Sequence, residues 1–202
     1  MAERRDLGRA QTGVRLVLAS TSPQRQAILD QLRIPFEVVA PSYVEHDVPG
    51  LEAAELVRAH AVGKARSVHA GEALVLGVDT AVVVDERFYG KPGEAAGAAR
   101  MLGKLSGRAH TVLSGLCLRG PDYEVVYDAG TDVTFRPLSD TVIAEYVASG
   151  EWRGRAGGYA IQGLGGRLVE RIEGDYLNVV GLPAALLIDV LARHAPRDAL
   201  KQ

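Results

Sequence analysis

The chain has 202 residues, 47% of them hydrophobic, 24% charged and 5% aromatic, with a formal net charge of −2 at pH 7. That apolar content and small charge exclude disorder over most of the chain, and they exclude a strongly basic nucleic-acid binder or a polybasic membrane-surface protein. The single cysteine, Cys117, excludes an internal disulfide framework and a cysteine-only zinc site, and no apolar run approaches the roughly 20 residues that span a bilayer.

Residues 1–13 are polar and lack the apolar stretch of a secretory signal. They read as a mobile tail on a soluble, cytoplasmic protein whose single domain covers 14–202. Residues 14–19 form a short apolar, β-branched run, the pattern of a buried strand. Ser20-Thr21-Ser22-Pro23 then signals helix entry, with a hydroxyl residue as N-cap and proline at the first helical position. The helix is expected to reach about Leu32 and to bury Ile28, Leu29 and Leu32. Residues 36–40 read as the next strand. From Leu51 to about His69, Ala54, Val57, Ala61, Ala65 and Val68 recur at helical spacing.

Residues 73–85 are β-rich, interrupted by Asp79-Thr80. Glu86 to Gly90 is expected to turn the chain. Pro92 and Glu94 open a further helix, with Ala95, Ala99, Leu102 and Leu105 on one face. Strands at about 109–118 and 123–135 flank the turn Arg119-Gly120-Pro121-Asp122. Ser139 or Asp140 caps a helix burying Ile143, Tyr146 and Val147, and Gly150 ends it. A glycine-rich stretch at 154–166 leads to a strand at 167–172, and Pro183 starts a last helix. Interleaved helices and strands, with two consecutive strands mid-chain, predict an α/β fold: a mixed twisted sheet with flanking helices.

The phosphate-binding GxxxxGK[ST], the dinucleotide-binding GxGxxG, HExxH and GxSxG are all absent. Cys117 lies in an apolar strand and reads as an inert buried thiol. Four features resist explanation as packing. Ser20 to Arg25 lies at a strand-to-helix junction, where unpaired N–H groups suit phosphate. Asp79-Thr80 puts a carboxylate in an apolar strand, which is costly unless it is paired or metal-bound. Lys91 sits between Gly90 and Pro92, and Pro92 biases it toward extended geometry. Gln162, boxed by glycines and apolar residues, offers a donor and an acceptor to a base edge. Each also has an ordinary reading: a cap, a strand end, a solvated turn lysine, a loop glutamine. Lys64 flanks the apolar stripe of its helix, and Glu45 lies in a polar loop.

Taken in order, LASTSPQRQAIL, GVDTAVV, GKP, ARMLGKLSGRAHTV and AGGYAIQGLGG resemble the Maf family, from about residue 14 to 191. The resemblance implies an elongated, Maf/ITPase-like mixed sheet with a deep cleft, often dimeric. It implies a nucleoside triphosphate pyrophosphatase, in which water attacks the α-phosphorus to give a monophosphate and pyrophosphate, with Mg²⁺ or Mn²⁺ as cofactor. GYAIQG and Asp79-Thr80 resemble the branch acting on dTTP and UTP more than the branch acting on 7-methyl-GTP. The first branch commonly reads SPRR, whereas here Gln24 replaces the first arginine, at a position linked to base choice. Carried over residue by residue, Asp79 matches the general base, and Ser20, Arg25, Lys64 and Lys91 match phosphate-contacting positions. Glu45, together with Asp79, matches metal positions; Gln24, Thr80 and Gln162 match specificity positions. The family's historical name also leaves open a nucleotide-binding regulator of cell division that needs no catalysis.

Overall fold

A computed structural model gives the structure of the protein and describes residues 15–46, 50–85 and 87–195. The expected tail at 1–13 lies outside the described residues. A seven-stranded mixed sheet runs β2-β1-β3-β5-β6-β7, with β4 paired to β3. Its strands are β1 (Leu16–Leu18), β2 (Glu37–Val38), β3 (Leu74–Val84), β4 (Arg87–Tyr89), β5 (Ala109–Arg119), β6 (Glu124–Phe135) and β7 (Val169–Glu173). β1 pairs in parallel with β2 and β3, and the remaining pairs are antiparallel. The mixed sheet expected from the interleaving of elements is present.

Among the described residues, six α-helices accompany the sheet: α1 (Pro23–Gln31), α2 (Ala53–Arg66), α3 (Ala95–Leu105), α4 (Asp140–Ser149), α5 (Tyr176–Val180) and α6 (Ala184–His194). Side chains alternate across a strand, and β3 uses both faces. Leu74, Leu76 and Val78 pack with Ile28 and Leu29 of α1 and with Leu187 and Leu191 of α6. Further along the same face, Val82 and Val84 pack with Leu102 and Leu105 of α3 and Ile143 of α4. Thr80 falls between these two apolar clusters, and there the face opens into a cleft. On the opposite face, Val75 packs with Ala61 and Ala65 of α2 and with Cys117.

Several expectations need correction. Residues 36–40 yield only a two-residue strand with both side chains exposed. Of the expected turn segment, Arg87–Tyr89 instead form β4, antiparallel to Val82–Val84, because β-branched and aromatic side chains extend the hairpin. In α3 the buried row is Ala98, Leu102 and Leu105, with Ala99 packed partly against it, while Ala95 is exposed. Val147 and Leu32 are only half-buried. Ser139 caps α4 as expected, accepting from Val142 N at 3.3 Å, and Gly150 ends it at φ 74°. The short helix α5 had no apolar period long enough to announce it.

Candidate active site

The site begins with two glycines. A Cβ on Gly77 would stand 2.1 Å from the Ala61 carbonyl oxygen, and one on Gly115 would stand 2.2 Å from that of Val57. Both gaps lie well inside van der Waals contact, so the α2 backbone rests directly on β3 and β5. Gly115 is the register partner of Asp79. One turn beyond Ala61, Lys64 therefore meets Asp79 on the α2 face of the sheet. Its Nζ donates to Asp79 Oδ1 at 2.6 Å and to the Val78 carbonyl at 3.5 Å. Asp79 and Lys64 are each 7% exposed.

Glu45 completes this group, with Oε1 2.6 Å from the same Lys64 Nζ. Burial pushes the Glu45 carboxyl up, but the Lys64 hydrogen bond and the charges of Lys64, Lys91 and His60 outweigh it. The net result holds it below the usual carboxylate range. Nearby, Tyr43 Oη lies 3.3 Å from Nδ1 of buried His60, which ties the segment before Glu45 to α2.

The opposite side chain, Thr80, points the other way. Its Oγ1 meets Ser114 Oγ at 2.9 Å and accepts from Arg25 Nη2 at 3.2 Å. Arg25 also donates from Nε to the Gly181 carbonyl at 2.9 Å and from Nη1 to Ser20 Oγ at 3.1 Å. Burial lowers the Arg25 pKa, and the charges of Asp79 and Glu45 partly offset this; a guanidinium stays charged regardless. Ser20 Oγ in turn accepts from Ser22 N at 3.2 Å. Ser22 occupies the expected N-cap position, but its hydroxyl makes no cap bond and instead donates to Gln24 Oε1 at 3.2 Å. The first-turn amides of α1 thus remain available to a ligand.

These groups surround a cleft of about 360 Å³, within the range of small-molecule sites. Ser20, Gln24, Arg25, Glu45, Lys64, Thr80, Lys91 and Gln162 all line it. Asp79 lies just behind that surface and meets the cleft through Lys64, because Asp79 and Thr80, as strand neighbours, face opposite sides of the sheet. Cys117 is fully buried, and burial pushes its thiol up to about 12, as expected of an inert core cysteine.

The sequence profile described as Maf-like protein matches residues 15–194. The chain belongs to the Maf family. Among relatives of this Maf chain, a protein from Gloeobacter violaceus named dTTP/UTP pyrophosphatase is 48% identical over 91% of this chain and 98% of that one. One from Moorella thermoacetica with the same name is 50% identical over 88% of this chain and 94% of that one. Among solved structures, the Ham1 protein of Staphylococcus aureus aligns with a TM-score of 0.42 at 17% identity, over 60% of this chain and 71% of that one.

Part of the cleft in this Maf chain carries no sequence motif. Arg155 lines it, and its Nε is buried without a hydrogen-bond partner among the described residues. Tyr43, Tyr159 and Gly181 also line it. Arg155 is one of 19 arginines in the chain, and no motif sets it apart. Among the described residues no three His, Cys, Asp or Glu side chains form a metal cluster. The pair Glu45 and Asp79 does fit a hard divalent cation, which is commonly bound by one or two carboxylates together with substrate phosphates and water. No helix among the described residues is long and apolar enough to cross a membrane.

Proposed function

We propose that this Maf protein is a cytoplasmic, homodimeric pyrophosphatase that hydrolyses dTTP and UTP to the nucleoside monophosphate and pyrophosphate, using Mg²⁺ or Mn²⁺. One observation carries the reading: two carboxylates, Asp79 and Glu45, converge on Lys64 Nζ beside a cleft that also receives the uncapped start of α1. The names of the relatives point to the same substrates. The net charge of −2 supports a partner other than nucleic acid.

A triphosphate brings several negative charges into the cleft. Lys64, Lys91 and Arg155 offset them as ammonium and guanidinium groups, and the α1 amides add donors. Arg25 already spends three of its donors on Gly181, Ser20 and Thr80. It therefore acts first as a brace that holds the Ser20 loop, α5 and β3 in register, and offers its remaining N–H groups to phosphate. Ser20 keeps its hydroxyl proton to donate, since its oxygen serves as acceptor to Ser22 and Arg25.

Asp79 Oδ1 is taken by Lys64, and among the described residues Oδ2 accepts no hydrogen bond. That oxygen takes the proton of the attacking water as the new P–O bond forms. The bond from the α-phosphorus to the bridging oxygen breaks, and pyrophosphate departs with that electron pair. Glu45 and Asp79 would hold the divalent cation, which when bound neutralises charge on the phosphoryl oxygens. Gln162, Gln24 and Thr80 border the remaining space, where the base is selected.

Purified protein with Mg²⁺ or Mn²⁺ should release pyrophosphate, not single phosphate, from dTTP and UTP. Asp79→Asn should cut turnover ~10²–10⁴-fold, as expected for loss of a general base, with an unchanged circular dichroism spectrum. Near-normal turnover in that variant removes Asp79 from the mechanism, and release of single phosphate overturns the reaction itself.

A further inference from the structure

Glu151 and Tyr146 hold both flanks of the segment that carries Gln162. Glu151 follows Gly150, at the end of α4. Its Oε1 accepts from Leu164 N at 2.9 Å, and its Oε2 accepts from Gly165 N at 2.9 Å and from Tyr146 Oη at 3.1 Å. The same Tyr146 oxygen accepts from Ala160 N at 3.0 Å. Amides before and after Gln162 are thus tied to one pair of side chains.

Gly163 is what admits the carboxylate. A Cβ there would stand 2.0 Å from Glu151 Oε1. Ile161 anchors the segment in the α3–α4 cluster, while Gln162 is exposed in the cleft. Without the two side chains, a stretch this rich in glycine has little rigidity of its own. Reading a base edge demands that the amide be held within a fraction of an ångström. The phosphate end depends on residues outside 160–165: α1, Lys64 of α2, Lys91 beyond β4, and Arg155 ahead of the Gly157-Gly158 turn.

We propose that Glu151 and Tyr146 are positioning residues that set nucleobase choice by fixing residues 160–165 around Gln162. The proposal rests on the nucleotide reading above. It separates two effects: loosening this clamp erodes discrimination among bases and leaves the grip on phosphate intact. In Glu151→Gln, an amide N–H₂ must face a backbone N–H that a carboxylate oxygen accepted. In Tyr146→Phe, Ala160 N loses its acceptor and the carboxylate loses a donor.

Two measurements test this on the full chain. Hydrogen exchange without nucleotide should quicken at least tenfold at the amides of Ala160, Leu164 and Gly165 in both variants. The kcat/KM ratio of dTTP to dCTP should fall at least fivefold, while inhibition by inorganic tripolyphosphate stays within twofold of the unaltered protein. Tyr146→Phe removes one hydroxyl and guards against a variant that fails to fold. Unchanged exchange at these amides overturns the clamp. An equal fall for every nucleotide, with the ratio intact, overturns the positioning role. If the unaltered protein turns over no nucleotide, the nucleotide reading and the base-choice role fall together, and the exchange result still decides whether the clamp exists.

Discussion

Lys64 Nζ stands 2.6 Å from Asp79 Oδ1, and each side chain is only 9% exposed. Removing one partner of such a pair leaves a buried charge without compensation. Lys64→Met should therefore lower stability by about 3 kcal/mol, the lower bound for a broken buried pair. It should also weaken nucleotide binding, because Lys64 supplies charge to the cleft. Urea denaturation and a KM determination check both effects, and a variant as stable as the parent would contradict the pairing.

The approach of α2 to the sheet depends on absent side chains. Gly115→Ala would drive a methyl against the Val57 carbonyl, 2.2 Å from the ideal Cβ position. Backbone cannot yield cheaply there, so overpacking should cost roughly 1–3 kcal/mol. Because Gly115 pairs with Asp79, the same change should lower kcat through the Lys64–Asp79 spacing. A stability loss with kcat unaltered would show that the helix shifts without disturbing the pair.

His110 is 3% exposed, with Nε2 2.9 Å from Tyr159 Oη and Nδ1 unpartnered among the described residues. Burial pulls its pKa from 6.5 down to about 4, against the opposing charge of Asp132. Between those values the unfolded chain binds the proton and the folded one does not. This contribution is fully present above about 6.5 and declines as pH falls toward 4. The loss by pH 4.5 should be roughly 2 to 3 kcal/mol. His110→Gln should flatten that part of the stability profile, measured by urea unfolding at pH 7 and 4.5.

Arg155 lines the cleft, and its buried Nε has no acceptor among the described residues. A charge-assisted hydrogen bond is worth about 1.5–3 kcal/mol. Arg155→Ala should thus raise KM roughly 10- to 100-fold by that measure, with a smaller change in stability. Arg155→Lys should recover only part of the loss, since an ammonium lacks the planar fork. Unchanged KM for dTTP in the alanine variant would remove Arg155 from the substrate contacts.

Gln24 and Gln162 lie on different elements, at the start of α1 and after the Gly157-Gly158 turn, yet both border the cleft. Gln162→Glu removes the amide donor and adds charge. It should reorder the kcat/KM ranking across a panel of nucleotides. Gln24→Arg, which restores the pattern common in the dTTP/UTP branch, should shift the ranking without abolishing turnover. Identical rankings in both variants would rule out the two glutamines as base readers.

The helix at Pro23 and the strands of the central sheet were legible because each rests on local chemistry. Proline fixes φ at a helix start, and alternating or continuous apolar runs specify a strand in either context. The strand β4 was not legible, because three residues carry no period and depend on a partner strand. Nor was α5, whose place is set by Asn178 Nδ2 donating to the Val112 carbonyl at 3.0 Å and to Thr131 Oγ1 at 3.1 Å. The site residues were recognisable as types in a familiar order. Their grouping was not readable from any one segment.

By itself, the order of residues determined the class of fold, the family, and which polar side chains interrupt apolar stretches, because propensity, capping and burial cost act over a few neighbours. Only the tertiary structure decided that Asp79 and Thr80 serve opposite faces, that Lys64 joins Asp79 to Glu45, and that Glu151 reaches the Gln162 segment. Those contacts require α2 to settle on Gly77 and Gly115 and α4 to end beside Gly163. Close approach between distant backbones is a property of packed elements, and no local window contains both surfaces.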